Sequence, residues 1–152
     1  MKTQRRHANN LNKQCCGTAT EIVIDGGVAK IKDCAFQSCS SVTSVDFTSA
    51  GEVLTIGGSA FDGMSNVVSL NFNGLVKMTS IGSVSFQGMT KLISVDMSGA
   101  TKLTTIGGYS FRYCSALATV KLSSSITTIG GNAFGSTKLT APSSVDFNGV
   151  DC

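Results

Sequence analysis

The chain repeats itself. Phe36, Phe61, Phe86 and Phe111 follow one another at intervals of 25 residues, and Phe134 comes 23 residues later. Each ring closes a recurring block: Ile56-Gly57-x-x-x-Phe61, Ile81-Gly82-x-x-x-Phe86, Ile106-Gly107-x-x-x-Phe111 and Ile129-Gly130-x-x-x-Phe134. The first copy departs from it, with Ile31-Lys32 ahead of Phe36. A fixed period in the twenties restricts the chain to stacked coils, because one such unit cannot bury its apolar side until a neighbour covers it.

A second recurrence supplies strands. Nine residues after the Phe come Val45-Asp46-Phe47, Leu70-Asn71-Phe72, Val95-Asp96-Met97 and Val120-Lys121-Leu122, all apolar–polar–apolar; Ile22-Val23-Ile24 and Val145-Asp146-Phe147 extend the series at either end. Alternation with a period of two predicts strands whose outer two positions face inward. Val42, Val67, Leu92 and Leu117, three residues upstream, complete an L-x-x-L-x-L pattern, the first part of a leucine-rich-repeat consensus. Thr55-Ile56, Ser80-Ile81, Thr105-Ile106 and Thr128-Ile129 predict a second, shorter parallel ladder. The expected fold is a β-rich solenoid: a right-handed leucine-rich-repeat coil of about six repeats of 23–25 residues with parallel β ladders. At the usual strand spacing it would be roughly 24 Å long.

In such a stack each column can be read alone. The Phe column predicts an internal ladder of rings. The residue before it is small (Ala35, Ala60, Ser85, Ser110, Ala133), as a tight corner beside a bulky ring requires. Three residues after it stands sulfur (Cys39, Met64, Met89, Cys114), suited to filling irregular space. Gly57, Gly82, Gly107 and Gly130 are expected to hold a backbone conformation costly for other residues.

The unit Leu-x-x-Val-x-Phe followed by Leu-Thr-x-Ile-Gly-Gly-x-x-Phe-x-x-Met/Cys resembles the BspA-like (Treponema pallidum-type) leucine-rich repeats. Ile129-Gly130-Gly131-Asn132-Ala133-Phe134 is close to that family's Ile-Gly-x-x-Ala-Phe block, and the likeness runs over about residues 22–147. It implies a binding or adhesion surface, and a cell-surface or extracellular location, although no signal peptide is present: the leading residues lack the 7–15-residue apolar run. No segment is long and apolar enough to cross a bilayer.

Residues 1–17 read as a polar basic tail and 18–152 as one solenoid domain without a linker. Lys2, Arg5, Arg6 and Lys13 carry the positive excess; the remainder holds 8 basic and 9 acidic residues. With charged residues at only 14%, a nucleic-acid-binding face is not expected. No catalytic constellation is visible, since the single histidine, His7, lies in the tail. The recurring Gly-Gly pairs lack the Gly-Lys-Ser/Thr ending of a phosphate loop. No cofactor is implied, and no metal: zinc-finger spacing is absent, and Asp46 and Asp96, two coils apart, would be about 10 Å from each other, too far to share a calcium ion.

Two candidate surfaces remain. The polar positions of the strands, Ser44, Asp46, Ser69, Asn71, Ser94, Asp96, Thr119, Lys121 and Asp146, should form an exposed face able to recognise a protein or a glycan, with Tyr109 and Tyr113 as aromatic anchors. The ends form the other. Solenoids normally close with polar caps, yet Ile22 and Ile24 begin abruptly, and Val145 and Phe147 read as a further coil that starts without a cap. Head-to-tail contact between copies of the chain would then build a filament, with Cys15, Cys16 and Cys152 as disulfide candidates. Cys39 and Cys114 belong to the packing column, and Cys34 lies too near Cys39 for a bridge to be expected.

Overall fold

The computed structural model describes the backbone of residues 5–8 and the whole of residues 17–140. The chain folds as a parallel β-solenoid. Among the described residues, eleven short strands follow in chain order: β1 (Arg5–Ala8), β2 (Glu21–Ile24), β3 (Lys30–Ile31), β4 (Ser44–Asp46), β5 (Thr55–Ile56), β6 (Ser69–Asn71), β7 (Ser80–Ile81), β8 (Ser94–Asp96), β9 (Thr105–Ile106), β10 (Thr119–Lys121) and β11 (Thr128–Ile129). From β2 onward they come in pairs, one pair per coil. The shorter strands build one five-stranded parallel sheet, β11-β9-β7-β5-β3, in which Ile31, Ile56, Ile81, Ile106 and Ile129 pair in register. The longer strands form two three-stranded sheets, β1-β2-β4 and β6-β8-β10, so this ladder is interrupted between β4 and β6. At that step the Phe47 carbonyl oxygen presses against Gly74 so closely that no Cβ would fit there.

The inward positions of the strands are the predicted ones. Ile22, Ile24, Leu70, Phe72, Val95, Met97 and Val120 are buried, while Val45 is half-buried. The Phe ladder is continuous: Phe36, Phe61, Phe86, Phe111 and Phe134 stack at centroid distances of 5.2, 5.2, 5.0 and 5.3 Å with planes within 16° of parallel. Phe47 meets Phe61 and Phe72 edge-on, thickening the aromatic core in the first coils. Each buried ring stabilises the stack by roughly 1.5–3 kcal/mol through removal of apolar surface from water.

The corner around each Phe is held by backbone hydrogen bonds between coils. Phe61, Phe86 and Phe111 donate their N–H to Ser85, Ser110 and Ala133 of the next coil at 2.8, 2.8 and 2.7 Å. Two left-handed positions straddle every ring. Cys34, Ser59, Val84, Tyr109 and Asn132 stand two residues before it, with φ between 52° and 64°. Ser38, Gly63, Gly88, Tyr113 and Ser136 stand two residues after it, with φ between 59° and 75°.

This corrects the reading of the Ile-Gly glycines. Gly57, Gly82, Gly107 and Gly130 are not among the positive-φ residues. Their constraint is proximity: a Cβ on Gly82 would lie 2.7 Å from the Gly57 carbonyl carbon, and one on Gly107 2.6 Å from that of Gly82. Gly130 meets the Gly108 nitrogen, and Gly57 the Asp33 carboxylate, closer still. Glycine is there because the preceding coil occupies the space of a side chain.

The sulfur column also needs correction. Met64, Met89 and Cys114 are fully buried and fill the core. Cys39 is buried too but disulfide-bonded, and its partner is neither Cys34 nor Cys114, which are free. Burial pushes the Cys114 thiol up to about 12, so it stays protonated and donates to the Phe86 carbonyl oxygen at 3.3 Å.

Candidate functional site

The register of the longer strands brings the predicted polar row together. Ser69, Ser94 and Thr119 lie side by side on β6, β8 and β10, and Asn71, Asp96 and Lys121 form the adjacent line. All six are exposed or half-exposed. Ser44 and Asp46 sit on β4, where their register partners are Glu21 and Val23 of β2. Asp146 lies outside the described residues.

The acidic and amide positions have a second task. Asp46, Asn71 and Asp96 each accept the backbone N–H two residues on, from Thr48, Asn73 and Ser98, at 2.8, 2.9 and 3.0 Å. Each is therefore a turn-forming side chain that ends its own strand. Asn73 in turn accepts the Gly99 N–H of the following coil at 2.9 Å. Asp96 also accepts the Ser98 hydroxyl at 2.6 Å and pairs with Lys121 at 3.3 Å. The Ser98 hydrogen bonds, opposed by partial burial and assisted by Lys121, hold its carboxyl below the usual carboxylate range. One carboxylate oxygen is thus engaged by the turn, and the row presents a mixed polar edge.

Two residues of this surface carried no sequence expectation. Val68 and Ile93, immediately before β6 and β8, are 46% and 51% exposed and joined by the Ile93 N–H to Val68 carbonyl bond. Thr43 and Ala118 occupy the same column in the flanking coils. The available signal was Val67-Val68 and Leu92-Ile93, in which a second apolar residue stands at a solvent position. An apolar strip therefore borders the Ser69–Ser94–Thr119 line.

Tyr109 and Tyr113 lie elsewhere, at the corner that follows β9, both exposed and both left-handed. They do not join the strand row. Between them in sequence stands Arg112, whose guanidinium carbon is 5.1 Å from the Tyr109 ring centroid and 4.3 Å from that of Tyr113.

The assembly candidates separate. Ile22 and Ile24 are fully buried, and β2 lies between β1 and β4, so the chain's own Arg5–Ala8 covers the edge expected there. Part of the basic segment is thereby a strand of the first sheet. At β3 the stack meets Lys30 and Lys32, charged residues of the kind that protect a sheet edge. Cys15, Cys16, Val145, Phe147 and Cys152 lie outside the described residues. Among the described residues no group of three His, Cys, Asp or Glu side chains can hold a metal ion, and no helix is long and apolar enough to cross a membrane.

The comparisons with known proteins agree with this architecture. A leucine-rich cell surface protein from Faecalibacterium prausnitzii is 31% identical, with a TM-score of 0.68 over 80% of this chain and 32% of the other. The pneumococcal vaccine antigen PcpA is 25% identical, with a TM-score of 0.71 over 85% and 31%. A Treponema pallidum leucine-rich-repeat protein shares the fold at 16% identity, with a TM-score of 0.68 over 91% and 72%. The chain thus spans about a third of the length of the first two. A search of curated proteins finds no significant match. Six copies of the BspA type leucine-rich repeat region match residues 9–141, and the chain belongs to that family.

Proposed function

We propose that the chain is a non-enzymatic recognition module of a cell-surface or extracellular protein, binding a protein or a glycan through the face of β6, β8 and β10. The observation that carries this reading is the juxtaposition of Ser69–Ser94–Thr119 and Asn71–Asp96–Lys121 with the exposed Val68–Ile93 strip. An apolar strip beside hydrogen-bonding groups on a rigid ladder is the composition that supports specific contact. The likeness to a cell surface protein of Faecalibacterium prausnitzii supports the location.

Head-to-tail assembly is the weaker reading at the N-terminal end. Lys32 occupies the column in which Gly57, Gly82, Gly107 and Gly130 let the preceding coil approach. A coil of another copy meeting that corner would collide with the Lys32 side chain where it meets only hydrogen elsewhere.

The test is to screen the full chain against arrayed extracellular-matrix proteins and glycans, then repeat the screen with Ser69→Arg/Ser94→Arg. These substitutions leave the Asp46, Asn71 and Asp96 turn bonds in place. Loss of the captured partner with unchanged thermal unfolding supports the strand face. Undiminished capture removes that face from the binding site.

A further inference from the structure

Beyond the strand face, we propose a second binding site at the corner after β9, in which Tyr109, Arg112 and Tyr113 receive a sugar bearing a single carboxylate, of the hexuronic-acid type. The argument begins with backbone cost. Both tyrosines occupy left-handed positions, at φ 58° and 61°; other coils place Cys34, Ser59, Val84 or Asn132 in the first column and Ser38, Gly63, Gly88 or Ser136 in the second, none of them aromatic. Neither ring enters the core, and both remain more than 40% exposed. Bulky residues in an unfavourable conformation at the surface point to a role outside the fold.

Arg112 supplies the charge. Its column otherwise carries Gln37, Asp62, Gln87 and Gly135. The guanidinium is clamped over both rings, and among the described residues it has no carboxylate partner. A guanidinium held this way is oriented in advance, with its N–H fork left for a planar anion.

The number of charges selects the ligand. The patch offers one cation, two aromatic rings and, in the adjoining coils, the amide side chains of Gln87 and Asn132. A hexuronate matches on all counts: one carboxylate for Arg112, an apolar ring face for a tyrosine and hydroxyls for the amides. An acidic peptide would bring several charges to a site equipped for one.

The protein carries its own reporter. Tyr109 and Tyr113 are its only tyrosines and it has no tryptophan, so emission excited selectively at tyrosine, beyond the absorption of its phenylalanines, arises from this patch. Titration with a glucuronic-acid-terminated tetrasaccharide should change that emission saturably, and the effect should weaken with added salt. The carboxyl-reduced tetrasaccharide should bind at least about tenfold more weakly, a difference of one Arg–carboxylate interaction. Arg112→Gln should produce a similar loss. It should fold normally, since Gln37 and Gln87 already occupy that column. Tyr113→Gly, which restores the residue of Gly63 and Gly88, should weaken binding when read by calorimetry while leaving thermal stability unchanged or raised. No saturable signal, equal affinity for the reduced sugar, unchanged affinity in Arg112→Gln, or tighter binding of a glutamate heptapeptide would each overturn the proposal.

Discussion

The Phe corner and the polar strand face lie on the same coils and obey the same period, yet they answer to different physical rules. At the corner the inward and close-approach columns keep their chemistry: Phe on Phe, a small residue on a small residue and, from Gly57 onward, glycine on glycine. On the strand face the column through Val23, Asp46, Asn71, Asp96 and Lys121 changes character at almost every step. The corner is fixed by contact with its neighbours on both sides, because stacked rings about 5 Å apart and backbones in van der Waals contact leave no room for another solution. The strand face meets its neighbours mainly at the backbone, with the Asp96–Lys121 pair the one side-chain contact described along its polar row, and its side chains are exposed or half-exposed. In a solenoid, repetition marks what coils need from one another, and its loss marks what is free to be used for something else.

That contrast is exposed to direct attack. The largest effect is expected from Phe86→Ala, in the middle of the ring stack. The void between Phe61 and Phe111 should cost about 3–5 kcal/mol in chemical denaturation. A loss below 1 kcal/mol would mean that the coils collapse onto one another and the ladder is not a rigid column. Next comes the glycine comparison. Gly82→Ala should cost about 1–3 kcal/mol or more by forcing a Cβ against the Gly57 carbonyl carbon, whereas Gly131→Ala, with open space around it, should change little. Equal effects at the two positions would remove the close-approach explanation.

A smaller effect of opposite sign is expected at Val84. This β-branched residue holds a φ of 64°, so Val84→Gly should stabilise by about 1 kcal/mol as the left-handed strain is relieved. Ser110→Ala belongs with it. The buried Ser110 hydroxyl has no hydrogen-bond partner among the described residues, while its counterpart Ser85 donates to the Gly82 carbonyl at 2.6 Å. Removing it should therefore be neutral or stabilising by about 1 kcal/mol, and Ser85→Ala should not share the gain. A melting-temperature comparison of the two variants separates them.

The smallest change concerns pH. The folded Asp96 carboxyl lies below its ordinary value, first because of the Ser98 hydroxyl bond. Its contribution is complete above the unfolded-state value and is lost as pH falls through the folded one. Acid titration of stability should therefore show a slight decline below about pH 4 that Asp96→Asn reduces. An Asp96→Asn profile identical to wild type would assign the decline to other carboxylates.

Much of this architecture was legible in the sequence because a solenoid turns spatial neighbours into a period. The Phe ladder, the inward strand positions and the two sets of parallel strands all follow from residues 23 or 25 apart that repeat each other's chemistry. The polar row was legible for the same reason, and Asn71, Asp96 and Lys121 do lie in register. Less legible were roles that depend on a side chain's reach. That Asp46, Asn71 and Asp96 end their own strands is a matter of hydrogen-bond geometry two residues along. The pairing of Arg5–Ala8 with β2 crosses a segment that lacks the Phe and Ile-Gly blocks from which the period is read.

The sequence by itself determined the fold class, the coil length and which columns lie inside, because burial selects residue type and stacking repeats the selection at a fixed interval. Only the tertiary structure decided why Gly82 and Gly107 must lack a side chain, which of two neighbouring cysteines is bonded, and that Arg112 lies across two tyrosines. Those outcomes depend on the distance and direction between atoms of different coils or turns, and a column of letters carries the spacing of residues along the chain but not the gap between the backbones that it brings together.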